Sequence, residues 1–197
     1  MSALYLVRHA HAEWTPDENR PLSVQGSEDA ARVASILSVY PISAIYSSPS
    51  HRACQTITPL AKRLGLSILM EPDLEERRLG DGVFEDFFKA VETTWQNPSF
   101  AHRGGESSII AQKRGIAVVQ RLLEQHPAEH IVLSTHGNLM ALILQTFDPS
   151  IDFMFWKSLT MPDIYKLNIN QSGKELMQRL WQDIKSDAKR DAGKDKL

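Results

Sequence analysis

The chain contains one cysteine, Cys54, so no disulfide can close within it. No apolar run approaches the roughly 20 residues that a membrane-spanning helix needs. The opening Met1-Ser-Ala-Leu-Tyr-Leu-Val-Arg-His9 lacks the basic leader and long apolar core of a signal peptide. Charge of one sign is also lacking: 22 Lys and Arg face 24 Asp and Glu, for a formal net charge of −2. No global field draws the chain to nucleic acid or to an anionic membrane, and any anion site must be built from local arginines. A cytoplasmic location, with neither a nucleic acid nor a membrane as partner, is the expectation from these absences. Internal repeats are absent, and the glycosylation pattern Asn170-Gln-Ser172 is taken as a chance match.

The rest of the composition is that of a folded domain. With 197 residues, 42% of them hydrophobic, one domain with a substantial core is expected over residues 1–184, followed by a charged, flexible tail over 185–197. Short apolar runs alternate with longer amphipathic segments, which argues for an α/β sandwich with a largely parallel sheet. Strands are expected at residues 3–8, 44–47, 67–70 and 130–134. A helix follows the cap Ser23 and carries Ala30, Val33, Ala34 and Leu37 on one face. Another follows Ser50, with Pro59 as a possible kink and Gly65 as its stop. Residues 71–106 are less regular, with one helix around 84–95, and form a candidate insertion or lid over the strand ends. Ser107 opens a helix to about residue 124, and residues 138–146 form another. Residues 163–169 and 175–181 flank Gln171-Ser-Gly173 as a hairpin, although the second arm also fits a helical pattern.

The reactive side chains follow the strands. The first apolar run ends in Arg8-His9; by itself this is a strand surfacing into two polar residues. Arg52 lies just beyond the second strand, Glu75-Glu76 beyond the third and His136 beyond the fourth. In a parallel sheet these ends share one edge, where α/β proteins bind ligands. Two arginines, two histidines and a carboxylate gathered there suit phosphoryl transfer. His9 is the candidate nucleophile. Arg8, Arg52 and His136 would hold the phosphate oxygens and stabilise developing charge, with amides at the helix start after Gly137 adding to the cradle. Glu76 is the candidate proton donor and water activator, on the expectation that its loop buries it. A metal pair of His9 and His11 lacks a third ligand at fitting spacing. His51, His102, His126 and His130 are read as solvated or locally bonded, and Cys54 as a packed helix residue. Core packing is expected for most of Phe84, Phe87, Phe88 and Trp95. Arg77 and Arg78 either reach a second anionic group or are exposed.

In this order, Arg8-His9-Ala10, Ser48-Pro49-Ser-His-Arg52-Ala-Cys-Gln-Thr56, Leu74-Glu-Glu76-Arg with Gly80, Gly105-Glu106-Ser107 and Ser134-Thr-His136-Gly-Asn138 resemble the motifs of the histidine phosphatase superfamily, the phosphoglycerate mutase-like family. The resemblance covers about residues 3–182. It implies a three-layer α/β/α fold, a phosphohistidine intermediate and no metal cofactor. His9 matches the phosphorylated histidine; Arg8, Arg52 and His136 match the rest of the phosphate pocket; Glu76 matches the proton donor; Glu106 matches a position near the pocket. The chain departs from the pattern where Ala10 replaces a glycine, Ala12 a hydroxyl residue and Thr15 an asparagine. Thr15 and His11 are candidates to compensate. Together with the downstream Arg20-Pro-Leu-Ser23, the opening looks more like the small phosphatase branches.

The expected activity is therefore hydrolysis of a phosphomonoester, either a small phosphorylated metabolite or a phosphoprotein, by a monomer or homodimer. A phosphoglycerate mutase is the enzymatic alternative; it would need a bisphosphorylated primer and a larger closing lid than the 71–106 region offers. A phosphohistidine or phosphoprotein phosphatase acting as a signalling regulator is the second, and a catalytically dead binding module the third. The last conflicts with the intact His9, Arg52 and His136 set.

Overall fold

The computed structural model describes residues 2–13, 15, 19–169 and 176–182. The expected tail, the Gln171–Gly173 turn and Asn170 of the glycosylation pattern lie outside the described residues. Six strands form one sheet in the order β3-β2-β4-β1-β5-β6: β1 Ser2–Arg8, β2 Ile42–Ser47, β3 Ile68–Met70, β4 His130–Thr135, β5 Asp163–Ile169 and β6 Leu176–Arg179. The first four are mutually parallel where they pair, β5 pairs antiparallel with β1, and β6 pairs antiparallel with β5. The second arm of the hairpin is thus a strand. Helices α1 Val24–Leu37, α2 His51–Leu64, α3 Phe87–Gln96, α4 Ser108–Gln125, α5 Gly137–Phe147 and α6 Phe153–Ser158 connect or cover them.

The strands alternate, and the alternation builds two cores. From β1, Ala3, Tyr5 and Val7 join the layer of α1 and α2, while Leu4 and Leu6 join the layer of α4 and α5. In β4, Val132 faces the first layer and Ile131 and Leu133 the second. Burial on both faces is why these strands read as unbroken apolar runs. The result is the expected three-layer α/β/α sandwich with a largely parallel central sheet.

Local chemistry sets the helix ends. Ser23 caps α1 by accepting from the Gly26 amide, Asp86 caps α3 and Ser107 caps α4. Gly65 ends α2 in the left-handed conformation at φ 67°, where lack of a Cβ removes the steric cost. Helix α2 runs continuously through Pro59. Packing of Phe87 and Phe88 departs from expectation: they are 51% and 53% exposed and stack around Trp156 of α6. Helix α6 is short and went unseen in the sequence because six residues carry less than two turns of periodicity.

Gly26 fixes how α1 meets the loop after β1. A Cβ there would come within 2.0 Å of the His11 carbonyl oxygen, a backbone atom that also accepts the Ser23 amide. Gly26→Ala is expected to lower unfolding free energy by about 3 kcal/mol, the upper range for overpacking, seen as a shifted urea midpoint. An unchanged midpoint would contradict this packing.

Candidate active site

The sheet order places the two histidines side by side. Strand β1 leaves for β2 across β4, so β4 lies between them, and the crevice opens at the carboxyl ends of β1 and β4. Arg8 pairs with Thr135 in the β1–β4 register, and the His9 amide donates to the Thr135 carbonyl at 3.0 Å. One residue further, the rings of His9 and His136 lie 5.1 Å apart between centroids.

The hydrogen bonds fix both rings. His9 Nδ1 lies 2.8 Å from the Ala10 carbonyl oxygen, which only accepts, so Nδ1 carries the proton and Nε2 keeps its lone pair. Arg52 Nε donates to that Nε2 at 3.2 Å. Arg52 Nη2, a permanent donor, lies 3.2 Å from His136 Nδ1, so His136 carries its proton on Nε2 and donates it to Ser48 Oγ at 2.8 Å. Arg52 reaches both rings from the first turn of α2. The loop beyond His9 is tied to the same helix: Thr56 Oγ1 accepts from the Ala10 amide at 2.9 Å and donates to the Arg52 carbonyl at 2.6 Å.

Burial and surrounding cations keep both imidazoles neutral. His9 lies well below the ordinary histidine range, first because burial penalises its charged form and then because His136, Arg52 and Arg8 surround it, against the opposing Ala10 hydrogen bond. His136, 0% exposed, is pushed down by burial and then by Arg52, Arg8 and Arg114. A neutral ring with a free lone pair is the form that attacks phosphorus.

Arg8 continues the phase of Leu4 and Leu6 and so points toward α5. Its Nη1 donates to the carbonyls of Leu159 at 2.9 Å and Thr160 at 3.3 Å. Its Nε is buried with no hydrogen-bond partner among the described residues. A Cβ on Gly137 would stand 2.9 Å from both Cζ and Nε of Arg8, so Gly137 serves by leaving room for the guanidinium.

Glu76 arrives where the helix was expected to hold phosphate. Its Oε2 accepts the Asn138 amide at 3.0 Å and its Oε1 the Leu139 amide at 2.9 Å. Oε1 also accepts the Arg77 amide at 2.9 Å. The Asn138 and Leu139 amides are thus taken: Glu76 caps α5, whose N-cap residue His136 makes no side-chain cap bond. The sequence could not separate an anion in solution from an anion on the chain.

Beside Glu76 lies an open cleft of about 460 Å³, lined among others by Asp73, Glu75, Arg78, Glu106 and Arg114. Glu106 lines this cleft and is held at both oxygens by Arg114, at 2.8 and 2.9 Å. Arg77 fits neither of its two readings, and Arg78 is exposed. Arg77 is 3% exposed and donates to Ser108 Oγ at 3.4 Å, while exposed Arg78 pairs with Asp81 at 2.7 Å. His11 has Nδ1 on Ser23 Oγ at 2.9 Å, and Thr15 lies half-buried in the same β1–α1 loop. His102, His126 and His130 make local bonds to Ala90, Tyr46 with Glu129, and Tyr5. Cys54 faces the Ser48 carbonyl. Among the described residues no cluster of His, Cys, Asp or Glu could hold a metal ion. Ser48 and Thr56, uncharged members of the Ser-Pro-x-x-Arg-Ala-x-Gln-Thr motif, carry their signal in the fixed spacing around Arg52.

The three-layer α/β/α fold thus sets two neutral histidines among arginines at adjoining strand ends, an arrangement with donors suited to an oxyanion. Comparison with known proteins narrows this. The profile of the histidine phosphatase superfamily, branch 1, matches residues 4–183, and the chain belongs to that family. It is 30% identical over 165 residues to phosphoglycerate mutase-like protein 4 of Arabidopsis thaliana, covering 75% of this chain and 71% of that one. It is 28% identical over 153 residues to phosphoserine phosphatase 1 of Hydrogenobacter thermophilus, covering 69% and 71%. A mycobacterial glucosyl-3-phosphoglycerate phosphatase solved with inorganic phosphate shares the fold, with a TM-score of 0.74 at 22% identity over 90% of this chain and 94% of that one. No helix among the described residues is long and apolar enough to cross a membrane.

The histidines also set a pH dependence of stability. Both stay neutral in the fold and protonate near their ordinary value of 6.5 once unfolded, so the unfolded chain binds the additional protons. Their contribution is complete above that value and is lost as pH falls from it toward the lowered native values. Melting temperature should therefore fall between about pH 7 and about pH 5.5, and less steeply in His136→Asn. Equal slopes in the two proteins would contradict the assignment.

Proposed function

We propose that the protein is a metal-independent phosphatase that hydrolyses a small phosphomonoester through a phosphoryl group carried on His9 Nε2. The observation that carries this reading is the fixed tautomer of His9, whose only lone pair faces Arg52 in a buried, cation-lined crevice.

The incoming phosphate takes the donors of Arg52 from Nε2 and Nδ1 of the two histidines and adds the buried Nε of Arg8. Nε2 then attacks phosphorus in line with the ester oxygen, the P–O bond breaks, and Glu76 gives its proton to the leaving oxygen. In the second half Glu76 takes a proton from water, the hydroxide attacks phosphorus and the P–N bond breaks. His9 returns neutral and inorganic phosphate departs. The concave cleft beside Glu76 favours a small leaving group over a flat protein surface.

A phosphomonoester panel tests this. His9→Ala is expected to lower turnover by more than about a thousandfold, chelators to leave the wild type unaffected, and no bisphosphorylated primer to be needed. Full activity of His9→Ala, loss with chelator or a primer requirement would each contradict the reading. Glu76→Gln should slow esters with poor leaving groups by about 10²–10⁴-fold, and much less an aryl ester whose leaving group needs no proton. Equal slowing of both would remove Glu76 as the proton donor.

A further inference from the structure

Arg8 stands opposite Asp163 in the antiparallel β1–β5 pairing. Asp163 is 0% exposed, and a buried carboxylate is retained only where donors or a cation satisfy it. Two arginines are placed to serve. One is Arg8, which burial pulls below its ordinary value against the opposing charges of Glu76 and then Asp163. The other is Arg179 at the end of β6, which takes both oxygens: Nε donates to Oδ1 at 2.9 Å and Nη2 to Oδ2 at 2.7 Å. The Thr160 amide donates to Oδ2 at 3.0 Å and the Ile164 amide to Oδ1 at 3.0 Å, while the Thr160 hydroxyl donates to the Pro162 carbonyl at 2.6 Å.

With its charge met from β6, Asp163 leaves Arg8 to the carbonyls of Leu159 and Thr160, with Nε buried and unpartnered. Those carbonyls belong to the turn that Asp163 and Arg179 hold: Arg179 Nη2 also donates to Thr160 Oγ1 at 3.2 Å.

We propose that Arg179 is a positioning residue: by neutralising buried Asp163, it keeps the Arg8 guanidinium directed at the phosphate site. The proposal rests on the phosphatase reading for the identity of that site. It extends the site to an exposed residue on the far edge strand, two strands from His9. Without Arg179 the cation opposite Asp163 in the sheet is Arg8, which then turns from phosphate to carboxylate. A pair that merely fastens β6 to β5 would alter stability and leave anion binding unchanged.

The test is inorganic phosphate affinity, measured by calorimetry on the full chain for wild type, Arg179→Gln and the double variant Arg179→Gln/Asp163→Asn. Arg32→Gln serves as a control, since it removes another surface pair, with Asp29. Arg179→Gln should bind phosphate about ten- to hundredfold more weakly, Arg32→Gln as wild type, and the double variant should recover most of the loss, because no carboxylate then competes for Arg8. Wild-type affinity in Arg179→Gln, or a double variant no tighter than Arg179→Gln, would overturn the proposal. Phosphate binding is read without turnover, so absent hydrolysis contradicts the phosphatase reading alone.

Discussion

One edge of the Arg52 guanidinium spans the two histidines, and most of the site depends on that contact. Nε donates to His9 Nε2 and Nη2 to His136 Nδ1. Because a guanidinium never accepts, each imidazole must turn a lone pair toward it and place its proton on the far nitrogen. The far nitrogens then need acceptors, and the fold supplies them in the Ala10 carbonyl and Ser48 hydroxyl. The same cation discourages protonation of either ring. A single arginine thus sets tautomer and orientation, while burial first and this cation after it keep the rings neutral.

That geometry follows from the sheet order. Inserting β4 between β1 and β2 brings two chain segments more than a hundred residues apart into register, and Arg8 meets Thr135 as a consequence. Side-chain alternation then sends Arg8 toward α5 and Ser134 toward α2, where its hydroxyl donates to the Ala53 carbonyl. Two glycines keep the layers close enough. Gly26 lets α1 lie on the His11 carbonyl, and Gly137 lets α5 begin against Arg8.

Much of this was legible in the residues. The apolar runs ending in Arg8-His9 and Ser134-Thr-His136 announced buried parallel strands with a shared reactive edge, because burial on both faces leaves no polar alternation to mislead. Less legible were contacts that depend on which partner a group chooses. Glu76 reads as a free carboxylate in sequence, yet it caps α5 with both oxygens. Phe87 and Phe88 read as core by hydropathy, yet both are more than half exposed and set their rings against each other and Trp156 of α6. The Asp163–Arg179 pair had no sequence signal, since its members meet only through hairpin register. The departures at Ala10, Ala12 and Thr15 fall in the loop tied down by Thr56 and Ser23, so the chain holds this segment by backbone contacts to α2 and α1.

The central claim is that His9 and His136 are both neutral with opposite tautomers. Nitrogen NMR of the imidazoles reads this directly. Expected are a proton on Nδ1 of His9 and on Nε2 of His136, with neither ring titrating between about pH 7.5 and about pH 5.5. Either ring protonating near its ordinary value of about 6.5, or both rings sharing one tautomer, would contradict it.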